Sequence, residues 1–317
     1  MRIVNINEIE CLAEAGSVVT VGNFDGVHLG HDLLIKDVVA RAASMGLCSV
    51  IVTFEPHTRA VLFPEEKQQV LSTLEEKIIL INRKNVDYLV YIPFDSNFAA
   101  ILAGDFIENI LVKKLKARQW VMGEGHRFGK NHAGNKNFPH DSKGKNDIYM
   151  VTDVSMTLND RVVSSTEIRI AITDGRVDEA VKMLGHQYLI LSHRVAGEKK
   201  GSQLGYPTFN FECRNLNKVL PPPGIYAAEI EYKGRRWKGA MYFGDCPTFG
   251  NRDRHFEFHA FDYCGGEPVE GAVASMWLNT RTRADRAFDN KTLLIEAIKQ
   301  DIENIKKYFS QEKEQCQ

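Results

Sequence analysis

The chain has 317 residues, 44 % hydrophobic and 26 % charged, which is enough for two domains that each bury a core and ordinary for a soluble globular protein. A formal net charge of -1 excludes the basic surface excess that a general nucleic-acid coat or an anionic-membrane binder needs, so any phosphate site must be local. The first sixteen residues carry Glu8, Glu10 and Glu14 with no secretory pattern, no segment suits a bilayer, and the cysteines (Cys11, Cys48, Cys213, Cys246, Cys264, Cys316) lack a zinc spacing, so the expected location is the cytoplasm, with reduced thiols.

In chain order, the β-branched run Val18–Val21 predicts a strand, Gly22–His31 a glycine turn into a helix start, and Leu33–Ala40 the helix. Val50–Phe54 reads as a buried strand, Ser72–Asn82 as a helix with a capping box at Ser72 and Glu75, and Tyr88–Ile92 as another strand. A helix over 104–114 leads to the apolar run Trp120–Gly123, the polar segment Lys130–Asp147 reads as a mobile surface loop, and Ser165–Thr173 begins a further helix. Strands separated by helices imply a parallel sheet with crossovers. After Gly185 the texture changes to short strands with glycine and proline, among them Gly224–Tyr232, a turn at Lys233-Gly234, and Arg236–Tyr242, an antiparallel pattern. Leu293, Leu294, Ala297, Ile298, Ile302, Ile305 and Phe309 then stripe one amphipathic helix over 290–309, a packing face.

The strand, turn and helix around Gly22–His31 form the junction where α/β proteins hold nucleotides. Glycine lets backbone approach phosphate, the helix N-terminus adds partial positive charge, and His28 and His31, three apart, can point one way from the first turn. Beside a phosphate two imidazoles suit transition-state charge stabilisation. The alternatives are a zinc pair, which lacks an H-E-x-x-H arrangement and a third nearby ligand, and a purely structural turn. Thr53–His57 ends a strand, where His57 taken alone is a loop-capping residue, and Gly123–Gly129 leaves another strand with a weak glycine spacing. Ser164, Ser165 and Thr166 place hydroxyls at a helix N-terminus with Arg169 one turn later, either a triphosphate binder or an ordinary cap. In the second half, the glycine-spaced loop Gly197–Asn210 ends in P-T-x-N, and the alternation Phe256-Glu257-Phe258 leaves Glu257 as either a general base or a solvent-facing strand residue.

The block Gly22-x-Phe24-Asp25-Gly26-x-His28-x-Gly30-His31 resembles the signature of the HxGH nucleotidyltransferases. With Thr53, Pro56, His57 and Ser164–Arg169 it resembles, in order, the adenylyltransferase half of the bacterial bifunctional riboflavin kinase/FMN adenylyltransferases, or FAD synthetases. Pro207, Thr208 and Asn210, then Pro223–Tyr226, Gly244–Phe249, Phe256–His259 and Arg283–Phe288, resemble the blocks of the kinase half, so the likeness runs from about residue 15 to 309. A single-domain cytidylyltransferase would leave residues 186–317 unexplained.

The resemblance implies an α/β nucleotidyltransferase domain with a Rossmann-like parallel sheet over 1–185, then an antiparallel β-barrel riboflavin kinase domain over 186–317 with a C-terminal helix. It implies phosphorylation of riboflavin to FMN and adenylylation of FMN to FAD, with ATP as co-substrate, Mg²⁺ as cofactor, no nucleic-acid or membrane partner, and a homo-oligomer left open. His28, His31 and Glu257 take catalytic roles, and Thr208 and Asn210 metal-ligand roles. Nucleotide contacts fall on Gly22, Asn23, Phe24, Asp25, Gly30, Ser164, Ser165, Thr166, Arg169, Gly201 and Gly205, although Asp25 serves equally as a brace of the turn. Flavin contacts fall on His57, Gly125, His126, Arg127, Phe128, Arg283, Asp285 and Phe288. The chain departs from the family pattern in four places. Gly125 and His126 replace an aspartate and a phenylalanine, Phe209 replaces an alanine and is expected to narrow the ATP pocket, Ser202 stands where arginine is frequent, and Asp285 shortens a glutamate. These departures leave open an enzyme with one activity, the adenylyltransferase being the altered one. A non-catalytic flavin binder fits poorly with the intact His28, His31, Thr208, Asn210 and Glu257.

Overall fold

A computed structural model covers the 317 residues and describes all but 13, 124–125, 135–148, 154–155, 159–160, 198–200, 202–204, 246–253, 264, 267 and 316–317; for 132, 149–153, 161, 245, 254 and 312–315 it describes the backbone alone. Gly125, Ser202, most of the polar segment 130–147 and most of Gly244–Phe249 therefore lie outside the described residues. Backbone packing divides the chain into two compact units, Met1–Ser165 and Thr166–Gln317.

The first unit is built on a six-stranded parallel sheet in the order β1 (Arg2–Asn5), β4 (Tyr88–Pro93), β3 (Cys48–Glu55), β2 (Ser17–Val21), β5 (Ala117–Gly123), β6 (Tyr149–Asp153), with a separate antiparallel pair of short strands, β7 (Thr157–Leu158) and β8 (Arg161–Val162). All five residues of the central β2 are buried, as expected of a strand covered on both faces. From β2 the chain winds through β3 and β4 on one side and returns to β5 on the other. Connections leaving β2 and β5 thus diverge, opening a crevice at the strand ends. The helix α1 (Leu29–Met45) follows β2, and Gly46 ends it in the left-handed conformation, where a side chain would be strained. Short helices α2 (Thr58–Leu62), α3 (Leu74–Asn82), α4 (Ser96–Ala99) and α5 (Ala103–Asp105) precede β5, and α5 runs on as a π-helix over Phe106–Lys114. Thr73, not Ser72, caps α3: the capping box pairs Thr73 with Glu76, because the Ser72 N–H and hydroxyl are engaged elsewhere, with the β2–α1 turn.

In the second unit α6 (Ser165–Thr173) continues past its first residue and α7 (Val177–Leu184) packs on the barrel. The barrel closes antiparallel in the order β10 (Phe209–Glu212), β13 (Arg254–Ala260), β12 (Arg235–Asp245), β11 (Gly224–Tyr232), β14 (Val273–Ala284), β9 (Tyr188–Val195), and closure removes free edges. Helix α8 (Lys291–Gln315) lays the later part of the predicted stripe on it: Ile305 and Phe309 are buried with Ala227 and Phe261, and Ile302 packs against them, whereas Leu293 at the start of the stripe is exposed. No helix among the described residues is long and apolar enough to cross a membrane.

Candidate active sites

The turn after β2 brings the histidine pair to the crevice. His28 is the N-cap of α1, its Nδ1 accepting from the His31 N–H at 3.4 Å, which places the proton of the neutral ring on Nε2. The two rings stack with centroids 3.7 Å apart, and Gly30 allows the packing, since a Cβ there would lie 3.2 Å from the His28 ring. Burial, then His28, then Lys77 hold His31 well below the usual imidazole range, so at neutral pH it is a neutral hydrogen-bonding group rather than a cation. Phe24 (φ 46°) and Val27 (φ 44°) are both buried and both in the left-handed region, a strain of order 1–3 kcal/mol each for non-glycine residues.

The other first-unit motifs meet this turn. Asp25 is 1 % exposed and its Oδ1 accepts from the Ser72 N–H at 2.9 Å, so it braces the turn. The Asn23 amide exchanges two hydrogen bonds with Thr58, at 3.0 and 3.2 Å, which ties the turn to α2. His57 caps α2 by accepting from the Arg59 N–H. The Ser165 hydroxyl donates to the Asp25 carbonyl at 2.8 Å, joining the serine-threonine motif to the same turn. Ser164 precedes α6, Thr166 lies exposed in its first turn, and Arg169, partly buried, follows one turn on.

Beside Gly22 and Asn23 opens a cavity of about 420 Å³, within the range of small-molecule sites. His126, Arg127 and Phe128 line it, and five further rings that went unread in the sequence join them: Phe54, Phe63, Phe94, Phe98 and Phe106. Phe54 and Phe94 meet edge-on at 5.4 Å, and Phe106 links Phe98 at 6.2 Å to Phe128 at 6.1 Å. His57 is not among the lining residues. His126 keeps an aromatic role, its ring near-parallel to Phe128 at 6.3 Å and edge-on to Trp120 at 5.7 Å, and burial pushes it down to about 4.

These histidines make the first unit acid-sensitive. Their folded-state pKa values lie below the unfolded value of about 6.5, so the native state binds fewer protons and their contribution, complete above that pH, is lost as the pH falls. We expect the urea midpoint of the first unit to drop between pH 7.5 and 5.5, each such histidine costing up to about 1.4 kcal/mol per pH unit below its unfolded pKa. His126→Phe should flatten part of this slope; a midpoint indifferent to pH would contradict it.

In the barrel, register decides the site. Glu257 of β13 pairs directly with Asn210 of β10 and with Tyr242 of β12, while its neighbours Phe256 and Phe258 are fully buried. The Thr208 hydroxyl donates to Glu257 Oε2 at 3.3 Å. Glu257, Thr208 and Gly201 line a cavity of about 480 Å³ together with Arg283, Asp285 and Phe288. Arg283 grips Asp301 of α8 through Nε and Nη2 at 2.7–3.1 Å, Asp285 accepts from the Tyr242 hydroxyl at 3.0 Å, and Phe288 lies under the Arg286 guanidinium at 4.9 Å. His259, two residues beyond Glu257 and so on the same face, also lines the cavity and meets the Pro207 carbonyl at 2.9 Å, a contact the motif alone did not single out. Gly205 is exposed and, like Asn210, is not among the lining residues. Phe209, expected to narrow the ATP pocket, is not among the residues that line this cavity. Its ring turns to Tyr263, at 5.3 Å, and to Arg194, because strand alternation sends it away from the Thr208 side. Among the described residues no three His, Cys, Asp or Glu side chains gather as a metal site.

A parallel-sheet nucleotidyltransferase unit followed by a barrel kinase unit defines a two-part transferase. The FAD synthetase family matches residues 12–167 and the riboflavin kinase family residues 184–309. The bifunctional riboflavin kinase/FMN adenylyltransferase of Bacillus subtilis is 32 % identical over 94 % of both chains, and its namesakes in Buchnera aphidicola from Schizaphis graminum and in Escherichia coli K12 are 30 and 28 % identical over 93 % or more. A crystal structure described as a macrolide-efflux protein from Streptococcus pneumoniae superposes with a TM-score of 0.83 at 26 % identity, covering 95 % of this chain and 97 % of that one. This chain belongs to the bifunctional riboflavin kinase/FMN adenylyltransferase family, with the adenylyltransferase ahead of the kinase.

Proposed function

We propose that residues 1–185 transfer the adenylyl group of ATP to FMN and residues 186–317 phosphorylate riboflavin, each at the cavity described above. The observation that carries the reading is the aromatic cavity opening beside the histidine turn in one unit and the Glu257 cavity in the other. The rings of Phe54, Phe94, Phe98, Phe106 and Phe128 suit a flat isoalloxazine, with His126 completing the wall where the family pattern has phenylalanine. Gly22, Asn23, Phe24, Asp25 and Gly30 form the ATP turn, in which Asp25 acts as brace, and Ser164, Ser165, Thr166 and Arg169 hold phosphate oxygens. An FMN phosphate oxygen attacks the α-phosphorus, the bond to the β-phosphate oxygen breaks, and pyrophosphate leaves; the acceptor is already an anion and needs no base. His28 and His31 donate N–H hydrogen bonds to the oxygens that gain charge, His31 as a neutral ring.

In the barrel, Glu257 accepts the proton of the riboflavin 5′-hydroxyl as that oxygen attacks the γ-phosphorus and ADP leaves. Arg283, Asp285 and Phe288 face the flavin there, and Gly201 and Gly205 shape the nucleotide loop. The Thr208 hydroxyl and the Asn210 amide oxygen are hard oxygen donors beside a carboxylate, a set that fits Mg²⁺. Bound there, Mg²⁺ would neutralise charge on the nucleotide phosphates. The net charge of -1 supports small-molecule substrates over nucleic acid, and free thiols at Cys11, Cys48 and Cys213 support a cytoplasmic setting.

The test is the purified protein with ATP and Mg²⁺, given riboflavin or FMN separately and its products resolved by chromatography. Riboflavin should yield FMN and then FAD, and FMN should yield FAD. FMN without FAD would remove the adenylyltransferase assignment, and no product from either would remove both.

A further inference from the structure

The turn that carries His28 holds a shape its own residues do not favour, since Phe24 and Val27 both sit at positive φ. Besides the ties from Thr58 and Ser165, part of its restraint comes from a segment with no nucleotide-binding motif. The Ser72 N–H donates to Asp25 Oδ1 at 2.9 Å, and the Gly26 N–H donates back to Ser72 Oγ at 2.8 Å, a reciprocal pair across 46 to 47 residues. One turn into α3, Lys77 is 2 % exposed, donates to Thr53 Oγ1 at 3.4 Å and to the Phe54 carbonyl at 3.3 Å, and has the Glu55 carboxylate at 3.9 Å. The Thr53 hydroxyl passes this on by donating to the Asn23 carbonyl at 3.1 Å. Both ends of the turn are therefore tied to residues 72–77.

We propose that Ser72 and Lys77 are positioning residues for adenylyl transfer, clamping the turn Gly22–His28 and the end of β3 in the shape that receives the ATP phosphates. The proposal rests on reading that turn as the ATP site. Around Lys77 stand Glu55 at the end of β3, Asp25 in the turn, Glu75 on its own helix, and His31 on α1 with His28 stacked on it. Its charge helps to keep His31 neutral, so the clamp and the protonation of the catalytic ring are coupled.

The experiment uses Ser72→Ala and Lys77→Met in the full chain. Each should raise the KM for ATP in adenylylation about tenfold or more, with a smaller change in kcat and with riboflavin phosphorylation unchanged. In Lys77→Met the His31 imidazole, followed by NMR, should titrate at higher pH than in the wild type, a change that mere loosening of α3 would not produce. Ser72→Ala removes one hydroxyl and decides the matter if Lys77→Met does not fold. Wild-type KM values for ATP in the folded variants would overturn the clamp, as would a loss of kcat alone. A wild-type protein unable to convert FMN to FAD would instead defeat the underlying assignment of the site.

Discussion

In Glu257→Gln, riboflavin phosphorylation should fall by about 10²–10⁴-fold in kcat while FMN adenylylation proceeds at the wild-type rate. Glutamine has the size of glutamate and can still accept from the Thr208 hydroxyl, so the contact at 3.3 Å survives and the strand pairing with Asn210 and Tyr242 is backbone in origin. What disappears is a group able to take the 5′-hydroxyl proton. The cavity that Glu257 lines belongs wholly to the second unit, and the histidine turn to the first. Chromatography of FMN formed from riboflavin, and of FAD formed from supplied FMN, measures the two rates separately. Equal loss of both would refute independent sites, and retention of phosphorylation would return Glu257 to the role of a strand carboxylate facing solvent.

His31→Ala should do the converse, lowering adenylylation about 10²–10³-fold with riboflavin phosphorylation intact. The ring stacks on His28 at 3.7 Å, and its Nδ1 is buried with no hydrogen-bond partner among the described residues, so the loss of stability on removing it should be small beside the loss of rate. Because His31 is held neutral, the interaction removed is a hydrogen bond to a charged phosphate oxygen and not an ion pair. His31→Gln, which keeps an N–H donor, should accordingly retain more activity than His31→Ala. An imidazolium at pH 7.5 in the free enzyme, seen by NMR, would contradict this account.

The elements were readable because their causes are local. The apolar run of β2, the i, i+3, i+4 stripe of α8 and the glycine-proline texture of the barrel follow from the periods of strand and helix, and the structure contains each. The ordered motifs likewise pointed to both units, which the family matches show, and the histidines and the Thr208 and Glu257 they singled out lie side by side in pairs. Local pattern failed by one residue at the cap of α3, where Ser72 offered a cap but a distant turn claimed it.

Contacts at long range were another matter. Phe54, Phe63, Phe94, Phe98, Phe106 and Phe128 come from separate strands, helices and loops, and only the crossovers of the sheet bring their rings around one cavity. Nothing at 77 marks a lysine that reaches Thr53, nor at 25 says that the carboxylate accepts from the Ser72 N–H. Strand register placed Glu257 opposite Asn210 and turned Phe209 away from the cavity. By itself the sequence determined which elements form, in what order, and which motifs they carry, since neighbouring side chains and backbone preference suffice for that. Tertiary structure alone decided the walls of the aromatic cavity, the ties from residues 72–77 to the histidine turn and the neutral state of His31, because each depends on burial and charge contributed by residues far apart in the chain.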